Sequence, residues 1–211
     1  MSQADRIPKN GILIVGTGLL ARWAAQLLET EGELVYGFAP TKEHPENEQD
    51  GFSILPPITR ARIWKLIRAG EADYVIALTD PVARERMANE LFERVNRPAR
   101  SCIHRTAFVP SDLQIGGGAI ILPYVVFGIS AQIGGYVTIE SHTYVGAETR
   151  IDDFVNIGSG CHIGEYCEIE SYTWIGRGAI LEAGVKIGKG AHILPGAVVR
   201  ESVKAGTVYG S

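Results

Sequence analysis

The chain is short of cysteine, of positive charge and of long apolar runs, and each shortage removes a class of protein. Three cysteines in 211 residues cannot build a disulfide framework, and nothing else in the sequence points to an oxidising compartment. The longest apolar stretches fall far short of the roughly 20 residues that cross a bilayer, so no membrane insertion is expected. The opening Met1-Ser2-Gln3-Ala4-Asp5-Arg6 has no apolar signal core, and a cytoplasmic location is the expectation. Lys and Arg number 20 against 24 Asp and Glu, a net charge of -4 with no basic cluster, so no nucleic-acid partner is expected. Apolar residues make up 45%, enough for real cores.

What the chain does have is a repeat. From Ile115, every sixth residue is a large apolar one: Ile121, Phe127, Ile133, Ile139, Val145, Ile151, Ile157, Ile163, Ile169, Ile175, Leu181, Ile187, Ile193 and Val199. A small residue follows each four places on, such as Ala119, Ala131, Cys161, Cys167, Thr173 and Ala191, and glycine often comes directly after the large one. Neither a helix nor a lone strand has this period, whereas short strands alternating with tight turns do. The pattern predicts a coiling prism of stacked parallel strands, of roughly five coils. Cys161 and Cys167 occupy small positions and are expected to point inward as small hydrophobes.

The first hundred residues read differently. Ile12-Leu13-Ile14-Val15 runs into Gly16-Thr17-Gly18-Leu19-Leu20-Ala21, and a helical pattern through Trp23, Ala24, Leu27 and Leu28 follows. Strand, glycine turn and helix in that order form a phosphate-binding arrangement, which makes Gly16, Thr17, Gly18 and Leu19 candidate ligand-binding residues. A second strand, Leu34 to Phe38, leads to Ala39-Pro40 where a nicotinamide-binding protein carries an acid, so hydride transfer loses support. Lys42 to Asp50 reads as a surface loop. A helix from Arg60 to Ala69, a strand from Tyr74 to Leu78 and a helix from Pro81 to Arg94 complete a Rossmann-like α/β domain with a parallel sheet over residues 1–100. The β-helix would occupy residues 101–211.

Between them runs Ile103-His104-Arg105-Thr106-Ala107. With the leading α/β domain and the hexapeptides, this segment resembles the sialic acid O-acetyltransferase and bacillosamine-type nucleotide-sugar N-acetyltransferase family. There an Ile-His-Pro-(Ser/Thr)-Ala segment links the two domains; Arg105 stands at the Pro position. The resemblance implies a left-handed β-helix with triangular coils, assembled as a homotrimer. It also implies acetyl-CoA as co-substrate along a groove between β-helices, and a nucleotide-linked amino sugar held by the α/β domain for surface glycan assembly. The implied chemistry is attack of a sugar amine or hydroxyl on the thioester, with a His taking the proton and an adjacent acid orienting it.

On that resemblance the catalytic His falls at Ala147 and its acidic partner at Glu148, within Val145-Gly146-Ala147-Glu148-Thr149-Arg150-Ile151-Asp152-Asp153-Phe154. Ala cannot accept a proton. An engineered replacement, a natural homologue without transferase activity and the use of another base all account for it. His142, five residues earlier, is the nearest His in sequence; His162, His192 and Glu148 itself are the other candidates. Asn156 falls where relatives place a polar residue against the CoA thioester. Two further departures are Ala39-Pro40, where relatives often carry acids, and the ending Val208-Tyr209-Gly210-Ser211, where they continue with Pro-Ala and a basic residue.

Outward aromatics at Tyr124, Tyr136, Phe154, Tyr166, Tyr172 and Trp174 either cover neighbouring coils or form a subunit interface. A zinc enzyme of the γ-carbonic anhydrase type would share the β-helix but needs converging His ligands at a spacing absent here, so no metal is expected. A non-catalytic nucleotide-sugar-binding scaffold is the stronger alternative.

Overall fold

A computed structural model describes residues 8–41, 55 and 57–210, so the loop expected from Lys42 to Asp50 lies outside the described residues. The chain divides into two compact units: Met1–Thr79 with Arg86–Arg100, and Asp80–Glu85 with Ser101–Ser211.

In the first unit β1 (Ile12–Val15) is buried along its whole length. Four apolar residues in a row, with no alternation, mark a strand covered on both faces. It is accordingly central: β2 (Val35–Ala39) and β3 (Asp73–Ile76) flank it in the order β2-β1-β3, all parallel. Helix α1 (Leu19–Thr30) buries Leu20, Ala21, Ala24, Ala25, Leu27 and Leu28, the stripe that helical spacing requires. Helices α2 (Pro57–Arg68) and α3 (Pro81–Val95) complete the alternation. The strand ends differ from expectation by one or two residues. Glu33, just before β2, forms an ion pair with Arg100.

The second unit is a left-handed parallel β-helix of about six turns. Its three sheets have seven, five and five strands, each of two residues, and a residue pairs with the one 18 positions on, as Tyr144 does with His162. The solenoid begins earlier than Ile115. Cys102–Ile103 pairs with Ile120–Ile121, and Phe108 bridges Val126, so the linker around His104 is itself the first corner.

The six-residue period places one aliphatic side chain at the middle of each side. Val145, Ile163, Ile175, Leu181, Ile187, Ile193 and Val199 have no exposed surface. Replacing Ile163 by Ala should cost about 2–5 kcal/mol, the usual range for a buried aliphatic that leaves a cavity, measurable by chemical denaturation. An unchanged midpoint would mean the core is looser than described.

The small positions do more than save space. Thr143 Oγ1 donates to Gly158 O at 2.9 Å and accepts from Cys161 N-H at 3.2 Å; Thr149 repeats this with Gly164 and Cys167 at 2.8 and 3.2 Å. The Cys161 and Cys167 thiols donate in turn to Gly176 O and Glu182 O. Each coil is thereby bonded to the next from inside. Burial pushes the Cys161 thiol up to about 11 and raises that of Cys167 as well. Neither should react with a thiol reagent at pH 8 in the native state, and both should do so on unfolding. Fast native labelling would contradict the inward placement.

Glycine after the inward aliphatic has a steric cause. A Cβ on Gly146 would meet Glu165 N at 2.5 Å, because the next coil packs directly on that backbone.

The three outward rows differ in character. On the seven-stranded face Cys102, Ile120, Thr138 and Asn156 are buried. The face made by Gln114, Gln132, Arg150, Glu168 and Lys186 is polar, with a Lys186 to Glu168 ion pair of 2.9 Å. The remaining face carries Phe108, Val126, Tyr144, His162, Ile180 and Val198, and Phe108, Val126 and Ile180 are exposed by 60%, 40% and 42%.

Candidate active site

The site begins at the corner where the apolar face turns into the polar one. In each coil this corner starts with the residue after the inward aliphatic, and Val145 is followed there by Gly146, Ala147, Glu148 and Thr149. Ala147 is half-buried and Glu148 exposed. The column at Ala147 holds Ile129 in the coil before and Glu165 in the coil after. The column at Glu148 holds Ser130 and Tyr166, with Tyr166 N-H donating to Ala147 O at 3.0 Å.

Glu148 has φ of 56°, in the left-handed region. Ser130 and Tyr166 adopt the same conformation at the same corner, as do Tyr124 and His142 at another. The left-handed backbone therefore belongs to the corner geometry and is no mark of catalysis. What singles out Glu148 is a carboxylate beside a side chain that ends at Cβ.

His142 is not brought to this corner. It sits at the edge between the seven-stranded face and the apolar face, stacked on Tyr124 with ring centroids 5.0 Å apart. Five residues of nearly extended chain separate it from Ala147, up to about 16 Å. The neighbouring coil is only about 4.8 Å away. Residues 18 positions apart are thus closer than residues five apart.

The coil above Ala147 supplies different groups. Tyr144 stacks on His162 with centroids 4.8 Å apart and rings within 20° of parallel. The Tyr144 hydroxyl reaches Glu165 Oε1 at 3.5 Å, the long end of hydrogen bonding. Glu165, in the column of Ala147, is an acid that reading along the chain does not bring to this corner; the signal is the offset of 18. His104 instead has a local role, its Nδ1 lying 2.9 Å from Thr106 Oγ1.

Asn156 is placed away from solvent. It is 6% exposed on the seven-stranded face, and its Oδ1 accepts from Arg84 at 2.8 Å. Arg84, of the Asp80–Glu85 segment, is fully buried and also donates to Phe154 O at 3.3 Å. Desolvation lowers this guanidinium to about 10, with Asp80 opposing the shift. The carboxamide expected to face a thioester is thus engaged in holding Arg84. Beside it Glu85 accepts from the Tyr172 hydroxyl at 2.7 Å, which pushes that phenol up to about 12.

The aromatics mostly cover coils. Tyr136, Phe154 and Tyr172 stack in one column at 5.2 and 5.8 Å, with Lys189 over the Tyr172 ring at 5.0 Å. Trp174 leans on His192, and Tyr166 stands out at 66% exposed.

The polar face carries an open groove of about 460 Å3 among Gln114, Gln132, Arg150, Asp152, Asp153 and Ser171. Its Arg150 is paired with Asp152 at 3.0 Å, and Asp153 accepts from Gly135 N-H at 2.6 Å.

In the first unit the glycine turn separates into two roles. Gly16 has φ of 122°, and a Cβ there would meet Ala77 O at 2.6 Å, so this glycine is fixed by backbone packing. A Cβ on Gly18 would meet nothing within 4 Å, so the space above it is open. Thr17 is buried at 5% and Leu19 is 63% exposed. The first turn of α1 holds no acid and no side-chain cap, which leaves its amides suited to a phosphate.

Residues 167–201 match the bacterial transferase hexapeptide (six repeats) family. Comparison with curated protein sequences finds no match. Among solved structures, a His-to-Asn mutant of perosamine N-acetyltransferase from Caulobacter crescentus, in complex with CoA and GDP-perosamine, superposes with a TM-score of 0.84. It is 20% identical, over 94% of this chain and 92% of that one. The acetyltransferase domain of PglB from Neisseria gonorrhoeae, with acetyl coenzyme A, gives 0.81 at 19% identity, over 95% of each chain. WeeI from Acinetobacter baumannii gives 0.78 at 23% identity, over 94% of this chain and 95% of that one. At these identities the likeness establishes the fold. Among the described residues no group of three or more His, Cys, Asp or Glu is arranged to hold a metal, and no helix is long and apolar enough to cross a membrane.

Proposed function

We propose that this chain is an acetyl-CoA-dependent acyltransferase acting on a nucleotide-linked amino sugar for surface glycan assembly, and that it is slow because Ala147 stands where the family's His would be. The observation that carries the reading is the fold over nearly the whole chain: two structural neighbours are named as acetyltransferases and hold CoA or acetyl coenzyme A.

In this reading the sugar amine or hydroxyl attacks the thioester carbonyl, a base takes its proton, and the CoA thiolate leaves and is reprotonated. Glu148 is the acid left beside the shortened side chain. Gly18 and Leu19 present the amides of α1 to the nucleotide diphosphate, while Gly16 and Thr17 shape the turn.

The apolar face supports a homotrimer. Phe108, Val126 and Ile180 expose apolar surface in one row, bordered by Ile129 and Tyr166 at 64% and 66%. Such a row is a poor solvent face and a good subunit seam.

Titration calorimetry with acetyl-CoA, and separately with uridine, thymidine and guanosine diphosphate amino sugars, tests the reading. Binding of both classes is expected. Nucleotide-sugar binding without acetyl-CoA binding would favour the scaffold alternative, and absence of both would overturn the proposal.

A further inference from the structure

We infer that His162 is the proton acceptor of this chain, held by Tyr144 and Glu165 on the ledge left open at Ala147. The inference rests on the acyltransferase reading and adds to it the group that replaces the missing imidazole.

Three observations converge on His162. It lies on the apolar face, one coil beyond Tyr144 and in register with it, with Ile180 on its other side. Its ring makes no hydrogen bond among the described residues, so its nitrogens are available to a substrate, in contrast to His104. Its orientation is set by a stacked partner whose hydroxyl reaches towards Glu165. The Tyr144 ring is stacked against it, and the Tyr144 hydroxyl is tied to Glu165 in the column of Ala147. The cluster therefore joins the apolar face to the corner at Ala147.

The other histidines lack this combination. His142 is on a different edge, and His192 leans on Trp174 on the seven-stranded face. The charged group tied into the His162 cluster is Glu165; its direct neighbours are the phenol of Tyr144 and the apolar Ile180.

The proton balance closes without another reactant. As the acceptor nitrogen or oxygen bonds to the thioester carbonyl carbon, its proton passes to a free His162 nitrogen. Collapse of the tetrahedral adduct breaks the carbon to sulfur bond, and His162 returns the proton to the CoA thiolate. Tyr144 is a positioning residue in this scheme: it acts through the imidazole.

Acetyl transfer is measured for the unmodified chain, His162→Gln, Ala147→His and the double variant Ala147→His with His162→Gln. The unmodified chain should turn over slowly, and His162→Gln should lose at least tenfold in kcat with acetyl-CoA binding retained. The double variant should keep the rate of Ala147→His, because a base at 147 makes His162 dispensable. Tyr144→Phe, which keeps the stacked ring but removes the hydroxyl that reaches Glu165, should lower kcat severalfold with KM for acetyl-CoA and the melting temperature unchanged.

His162→Gln at the unmodified rate would overturn the inference. So would a double variant as slow as His162→Gln alone, since His162 would then be structural. No turnover by the unmodified chain overturns it as well, and Ala147→His then separates the two levels. An active variant leaves the acyltransferase reading standing, whereas an inactive one removes both.

Discussion

Ala147→His should raise kcat for acetyl transfer by about 10²–10⁴-fold, the usual contribution of a positioned general base. The side chain has room, because its column neighbours are the exposed Ile129 and the half-exposed Glu165. It would also have an orienting acid, because Glu148 follows directly. KM for acetyl-CoA should change little, since a group that acts only as the proton moves does not alter ground-state binding. Ala147→Gln, similar in size but unable to take a proton, should give no such rise. Equal rates for Ala147→His and the unmodified chain, measured as CoA release, would mean that this corner is not the site of proton transfer.

The second large effect concerns the apolar face. Val126→Glu together with Ile180→Glu should convert a trimer into monomers and cut acetyl transfer at least a hundredfold. Both side chains point outward, so the β-helix itself loses no core contact and its melting temperature should hold. In a trimer the same positions would bury carboxylates in an apolar seam, which is costly. Light scattering at micromolar concentration checks the assembly. A monomeric unmodified chain would contradict the seam and any site shared across it.

Much of the fold was legible because both units write their periods plainly. The six-residue recurrence from Ile115 to Val199 specifies the inward row, and the run from Ile12 to Val15 before Gly16 marks a central strand. The first coil was hidden. Ile103 and Val109 keep the six-residue register before Ile115, but the pairing of Cys102–Ile103 with Ile120–Ile121 becomes visible only when the coils are stacked.

The candidate site was legible in one dimension only. Ala147 and Glu148 follow from resemblance along the chain, and the structure sets them side by side at one corner. Neighbours across coils do not follow from it, because a stack places residues 18 apart closer than residues five apart. That is why His142 drew attention in the sequence while Glu165 and the Tyr144 to His162 stack did not. Asn156 shows the same limit: its outward position could be read, but not the buried Arg84 that meets it.

The most direct measurement of the central claim is mass spectrometry of nucleotide-linked amino sugars incubated with acetyl-CoA and the unmodified chain, with Ala147→His alongside. The account predicts an acetylated product in both, slowly with the first and much faster with the second. No acetylated product from either, with both proteins folded and the full acceptor panel present, would contradict it.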